Sequence, residues 1–164
     1  MRACLVYLAG VLLMSTARAA DAPPGPDPAM LDLAHRVARF IETLDDADLA
    51  GVFADRNVAI IENFGPYRFE GPNAVASWAA GMRAHRVDTA NLVHTFGTPQ
   101  DFSRAGDRVF FSLPTTWKGT YRGTTAFTET GGWAFVLIEH ADANGTPSWR
   151  VQSYGWAVTG ITTP

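Results

Sequence analysis

Three sets of residues in this chain have types and spacing that could do chemistry. Glu62-Asn63 closes a β-branched run, Val58-Ala59-Ile60-Ile61, just ahead of the irregular stretch Phe64-Gly65-Pro66-Tyr67. An amide there can orient a ligand carbonyl, and it can equally serve a turn. His94 sits in Leu92-Val93-His94-Thr95-Phe96, the pattern of a half-buried strand. An imidazole acts as a base near neutral pH when a second group positions it. The sequence reveals no such partner, and a satisfied structural histidine fits as well. The third set is aromatic: five tryptophans in a chain of 164 residues, at positions 78, 117, 133, 149 and 156. Large rings with one polar edge either pack a core or line an apolar ligand site. The residues expected to touch a ligand are Phe40, Asn63, Tyr67, Trp78, Trp117 and Trp133.

Other chemistries lack their patterns. The four histidines, His35, His85, His94 and His140, are scattered, without His-x-x-x-His spacing or a cysteine pair, so no metal is expected. There is no Gly-x-Ser-x-Gly elbow and no glycine-rich phosphate loop, and no cofactor is expected. Asn144-Gly145-Thr146 has the form of a glycosylation sequon but reads as a hairpin turn.

The candidates need a scaffold. Asp107–Tyr121 and Ala126–His140 read as two long strands around Arg122-Gly123-Thr124-Thr125, and Trp149–Val158 as a last strand. Asp27-Pro28 is an N-cap acid followed by proline at the first helical position. Met30, Leu33, Val37, Phe40, Ile41 and Leu44 then recur at helical spacing, with His35 and Glu42 on the wet side. A short second helix is expected over Ala47–Phe53. A third is expected after Gly71-Pro72, with Val75, Trp78, Ala79 and Met82 as its stripe and His85 at its C-terminus. Asn57–Asn63 reads as a strand, Arg86–Ala90 as a polar loop, and Asn91–Phe102 as a strand interrupted by Gly97 and Pro99. The predicted architecture is α+β: three N-terminal helices packed on a strongly curved, mostly antiparallel sheet.

The ends and the bulk composition add limits. Arg2, the apolar run Leu5–Met14 and Ala17-Arg18-Ala19 together read as a signal peptide over residues 1–19, which implies a secreted or periplasmic protein. Residues 20–28 form a Pro-rich tether, and 29–160 form one domain. The only cysteine, Cys4, lies in the signal. Cleavage would remove Arg2 and Arg18 and no acid, so the net charge of −3 would become −5. With one lysine, Lys118, and no basic stripe, nucleic acid is a poor partner, and no membrane span is expected after cleavage.

The element order and the stretch Val37–Asn63 (VARFIETLDDADLAGVFADRNVAIIEN) resemble the NTF2-like superfamily, in particular its SnoaL-like and steroid delta-isomerase branch. Phe69-Glu70-Gly71-Pro72-Asn73-Ala74-Val75 and the Gly-Thr-Pro-Ser-Trp-Arg-Val strand are also similar. The resemblance covers about Ala29–Val158. It implies a cone whose curved sheet wraps the helices and leaves an apolar pocket at one end. It also implies that, in the isomerase branch, a tyrosine and an aspartate do the chemistry. Phe40 and Asn63 stand at those positions, so isomerisation by that mechanism is not expected. Glu62 is not expected to replace Asn63, because strand neighbours face opposite ways.

The sequence thus favours an exported SnoaL-like domain that binds a small apolar or aromatic molecule in a cone-shaped pocket without catalysis. One alternative is an isomerase- or dehydratase-type enzyme using His94 with Asn63. The other is a protein-interaction module working through the sheet. Both parities of the long strands carry apolar residues, which leaves an apolar outer face and points to a homodimer.

Overall fold

The computed structural model describes residues 25–141 and 145–164. The signal-peptide reading, most of the tether and Asn144 lie outside them. Helix α1 spans Pro28–Thr43, capped by Asp27, whose carboxylate accepts the Met30 N–H at 2.9 Å. It ends at Leu44, in the left-handed region, whose N–H returns to the Phe40 carbonyl. Its stripe is buried from Met30 to Ile41.

The expected second helix is a single 3-10 turn, Asp46–Leu49, so the structure has two α-helices where three were expected. The reason lies in where the backbone bonds go. The Val52 carbonyl accepts the Val151 N–H at 2.8 Å, and the Ala54 N–H donates to the Val151 carbonyl at 3.0 Å. Val52 and Phe53 are thereby drawn onto the last strand, with their side chains in the core.

Two short strands follow, β1 (Ala59–Ile61) and β2 (Arg68–Glu70), then α2 (Ala74–His85). The chain continues as β3 (Thr89–Phe96), β4 (Gln100–Ala105), β5 (Arg108–Tyr121), β6 (Thr125–Ala141) and β7 (Pro147–Thr162). The last strand starts before the expected Trp149 and runs past the expected Val158. Gly97 and Pro99 do break the expected Asn91–Phe102 strand. Its two halves pair with different ends of β5, β3 with Thr115–Tyr121 and β4 with Arg108–Ser112. The sheet order is β2-β1-β7-β6-β5-β3, with β4 also on β5. The β1–β7 pair is parallel, and the other pairs are antiparallel.

Register fixes which parity faces the helices. Phe111, Phe135 and Tyr154 form one inward row, and Leu113, Trp133 and Trp156 the next. Each large side chain buried in these rows contributes about 1.5–3 kcal/mol through lost water contact. The outer rows are Phe110–Val136–Ser153, Ser112–Ala134–Gly155 and Pro114–Gly132–Ala157. One glycine is required by close approach. A Cβ on Gly131 would collide with the Ala157 carbonyl and the Trp156 ring, so glycine there lets the indole lie across β6. Among the described residues no helix is long and apolar enough to cross a membrane.

Candidate functional site

A cavity of about 80 Å³ opens between the end of β1, the end of α2 and the inner faces of β5, β6 and β7. That is several times what one water needs and small beside the ~300–1,000 Å³ typical of drug-sized ligands. Its apolar walls include Ile41, Met82, Leu92, Trp117, Trp133 and Trp156, and its polar groups include Glu62, Glu129, His85 and Arg86.

Glu62 is placed by alternation. Val58, Ile60 and Glu62 share the inward parity leading through β1, and all three are buried. The carboxylate is 5% exposed. Its Oε1 accepts the Trp78 indole N–H at 2.9 Å and the Tyr154 hydroxyl. Burial pushes its pKa from 4.5 up to about 7, and the nearby Glu129 charge adds to the rise. The donors Tyr154 and Trp78, with the Asn63 backbone N–H, oppose it. A carboxyl whose pKa lies near neutrality inside an apolar cavity can both take up and release a proton near neutral pH. Burial, followed by the Glu62 charge, holds Tyr154 well above the usual phenol range, so it remains a donor.

Glu129 lies on β6 in the same parity as Trp133 and Phe135, so it also faces in. Its Oε1 accepts the Trp156 N–H at 3.0 Å, and burial raises its pKa. One cation lines the same cavity. Arg86, 8% exposed, follows α2 directly. Its Nη1 donates to the carbonyls of Ile41 and, at 2.8 Å, Glu42, and its Nε donates to Thr89 Oγ1 at 3.2 Å. Those carbonyls belong to the last turn of α1, the negative end of its dipole. His85 stacks on Phe64 at 4.5 Å between centroids, and burial and Arg86 lower its pKa. The Trp133 indole N–H is buried without an acceptor among the described residues.

The expected ligand-contact set divides. Trp117 and Trp133 line the cavity, and Asn63 stands at its rim with an exposed side chain. Phe40 and Trp78 do not line it: both are 0% exposed in the core behind it, their rings 5.0 Å apart. Tyr67 does not reach it either, being 64% exposed in the loop before β2. Asn63, expected to orient a ligand, is not the inward polar group at the end of β1; Glu62 is. Strand neighbours do face opposite ways, and Glu62 is the inward one.

His94 has the partner that the sequence did not reveal. Its Nδ1 lies 2.6 Å from Glu42 Oε1, and its backbone N–H donates to the same oxygen at 2.7 Å. Its Nε2 lies 3.1 Å from His35 Nδ1, so His35 is exposed but not simply solvated. His94 and His35 line a separate surface cleft with Leu31, Phe96 and Leu113; it shares no lining residue with the cavity, although the His94 ring lies 5.5 Å from that of Trp117. His94 and Asn63 are therefore not brought together. Among the described residues no group of three or more histidines, cysteines or acids is placed to hold a metal.

Solved structures with the same topology have been determined. Hexachlorocyclohexane dehydrochlorinase LinA-type3 from Novosphingobium barchaimii LL02 superposes with a TM-score of 0.67 at 13% identity, over 83% of this chain and 88% of that one. The chain has the NTF2-like fold. A ketosteroid isomerase-like protein from Erwinia carotovora atroseptica gives a TM-score of 0.59 at 13% identity, over 80% of this chain and 95% of that one. No protein-family model matches the sequence, and no curated protein matches it. In this NTF2-like cone, β1, α2 and the long strands converge on the open end, and the functional groups gather there. Sequence reasoning missed Glu129 and Arg86, set Glu62 aside in favour of Asn63, and named Trp156 only among the five tryptophans. For both acids a signal was present: each is a carboxylate on the inward parity of an otherwise apolar strand.

Proposed function

We propose that this protein is a proton-transfer enzyme acting on a small, largely apolar carbonyl compound, with Glu62 as the base. The observation that carries the reading is the buried Glu62 carboxyl, titrating at about 7 and facing an aromatic-walled cavity. Trp78 and Tyr154 both donate to Oε1, which leaves Oε2 to take a proton from carbon. Glu129, whose pKa burial also raises and whose charge acts on Glu62, is the second acid available to return the proton. Loss of HCl and isomerisation, the reactions in the names of the two structural neighbours, each include proton movement. Binding without chemistry remains the simpler function for such a cone. Glu62 supplies the base that this reading lacks.

The test is deuterium incorporation from D2O next to the carbonyl of butanone and of 2-oxobutanoate, followed by NMR. The rate should exceed the protein-free rate for at least one of them. It should rise with pH through about 7 and level off above it, because the active form is the carboxylate. A rate equal to background for both would leave the protein a binder.

Export and pairing belong to the same proposal. Residues 1–19 have the composition of a cleaved signal, so protein recovered from outside the cytoplasm should begin at Ala20 or within a residue or two. The outer rows of β5, β6 and β7 are small or apolar, which suits a flat contact with a second copy. Light scattering at micromolar concentration should give twice the subunit mass. A single-subunit mass would end the dimer.

A further inference from the structure

We infer that the occupant of the cavity carries a carboxylate, and that Arg86 binds it. The inference rests on the reading of this cavity as the functional site, and names the chemical class that it takes.

Arg86 is a nearly buried cation without an ion pair. No carboxylate among the described residues lies within salt-bridge distance of it. Its neighbour in charge, Glu42, spends its Oε1 on the ring and the backbone of His94. Burying a guanidinium is costly unless an anion or several acceptors compensate it. Here two carbonyls and one hydroxyl use Nη1 and Nε. Nη2 is the nitrogen that remains, on a side chain that lines the cavity. A single charged N–H donor still prefers an anionic oxygen to a neutral one, because the charge-assisted hydrogen bond is the stronger.

A second donor agrees. Among the described residues Trp133 Nε1 has no acceptor; it belongs to the wall of the same cavity, its ring 5.5 Å from that of Tyr154 and 6.0 Å from that of Trp156. A buried N–H left without an acceptor is uncommon, and an acceptor-bearing occupant would satisfy it. The acids of the cavity are not paired with Arg86. The carboxylate whose charge acts on Glu62 is Glu129, whereas the one whose charge acts on Arg86 is Glu42. The cavity therefore has an acidic end and a cationic end, joined by indole rings. A short substrate with its carboxylate on Arg86 would direct its other end, the carbon that loses a proton, towards Glu62.

The probe pair is isobutyrate and isobutyramide, which share shape and differ in charge. Binding is followed by chemical-shift titration of the wild-type protein. Isobutyrate should bind about tenfold or more tightly than the amide, and Arg86→Gln should remove that preference while circular dichroism shows the fold intact. Glu62→Gln should keep it, because Glu62 moves protons and does not hold the carboxylate. Equal affinity for the two probes, or no binding of either by the wild type, overturns the Arg86 assignment whether or not Arg86→Gln folds. If deuterium exchange is absent while the preference is present, the proton-transfer reading fails and the carboxylate site stands. If exchange is present without the preference, the reverse holds.

Discussion

Replacing Glu62 with glutamine should cut deuterium exchange by about 10²–10⁴-fold, the contribution typical of a positioned acid or base. The same change should make the protein more stable. In the folded chain the carboxyl titrates at about 7, against 4.5 for the free group. The folded state therefore binds this proton more tightly than the unfolded state does. The stability from this site is fully present below pH 4.5, falls as pH rises towards 7, and is absent above it. That gap corresponds to about 3 kcal/mol. Glutamine can still accept from Trp78 and Tyr154 through its oxygen, and it does not titrate. Denaturant melts of the two proteins should coincide most closely near pH 4.5, with the variant gaining up to that amount by pH 8. A wild-type protein with no relative loss over this window would show that Glu62 ionises as freely as a surface acid.

Truncating Trp78 should have the largest effect on folding. Trp78→Ala removes a wholly buried ring that packs on Phe40, Phe53 and Tyr154, and should cost about 3–5 kcal/mol by urea unfolding. A loss within error would remove α2 from the core position described above. Trp78→Phe separates packing from electrostatics. It keeps a ring but deletes the N–H that lowers the pKa of Glu62. The pH at which exchange switches on should therefore move upward in this variant, a change that a purely structural role for the indole would not cause.

How much of this was legible depended on whether the signal was local. The stripe of α1 and the long hairpin strands are written in periodicity, and Phe40 and Trp78 are buried as their helical faces require. Glu62 was harder because β1 has only three residues. Its facing is set by a parallel partner 94 residues later, Ile60 against Tyr154, and alternation alone gives two parities without choosing between them. The partner of His94 was hidden for a related reason. Glu42 lies on the side of α1 that periodicity assigns to water, and only the path of β3 across that helix covers it. Arg86 looked like loop polarity because its acceptors are carbonyls, which leave no mark in a sequence.

The placement of Tyr154 on β7 has a kinetic consequence. The hydroxyl that holds Glu62 comes from a residue 92 positions further along the chain. It arrives in a strand that must insert between β1 and β6. Contacts so distant in the chain close late, because the loop entropy has to be overcome before they form. Until β7 docks, β1 lacks its parallel neighbour and Val52 and Phe53 lack theirs. The acidic end of the cavity is then exposed to water, where a carboxylate has its ordinary pKa. Refolding should accordingly show tryptophan burial developing before exchange activity. The catalytic poise of Glu62 would be among the last properties the chain acquires.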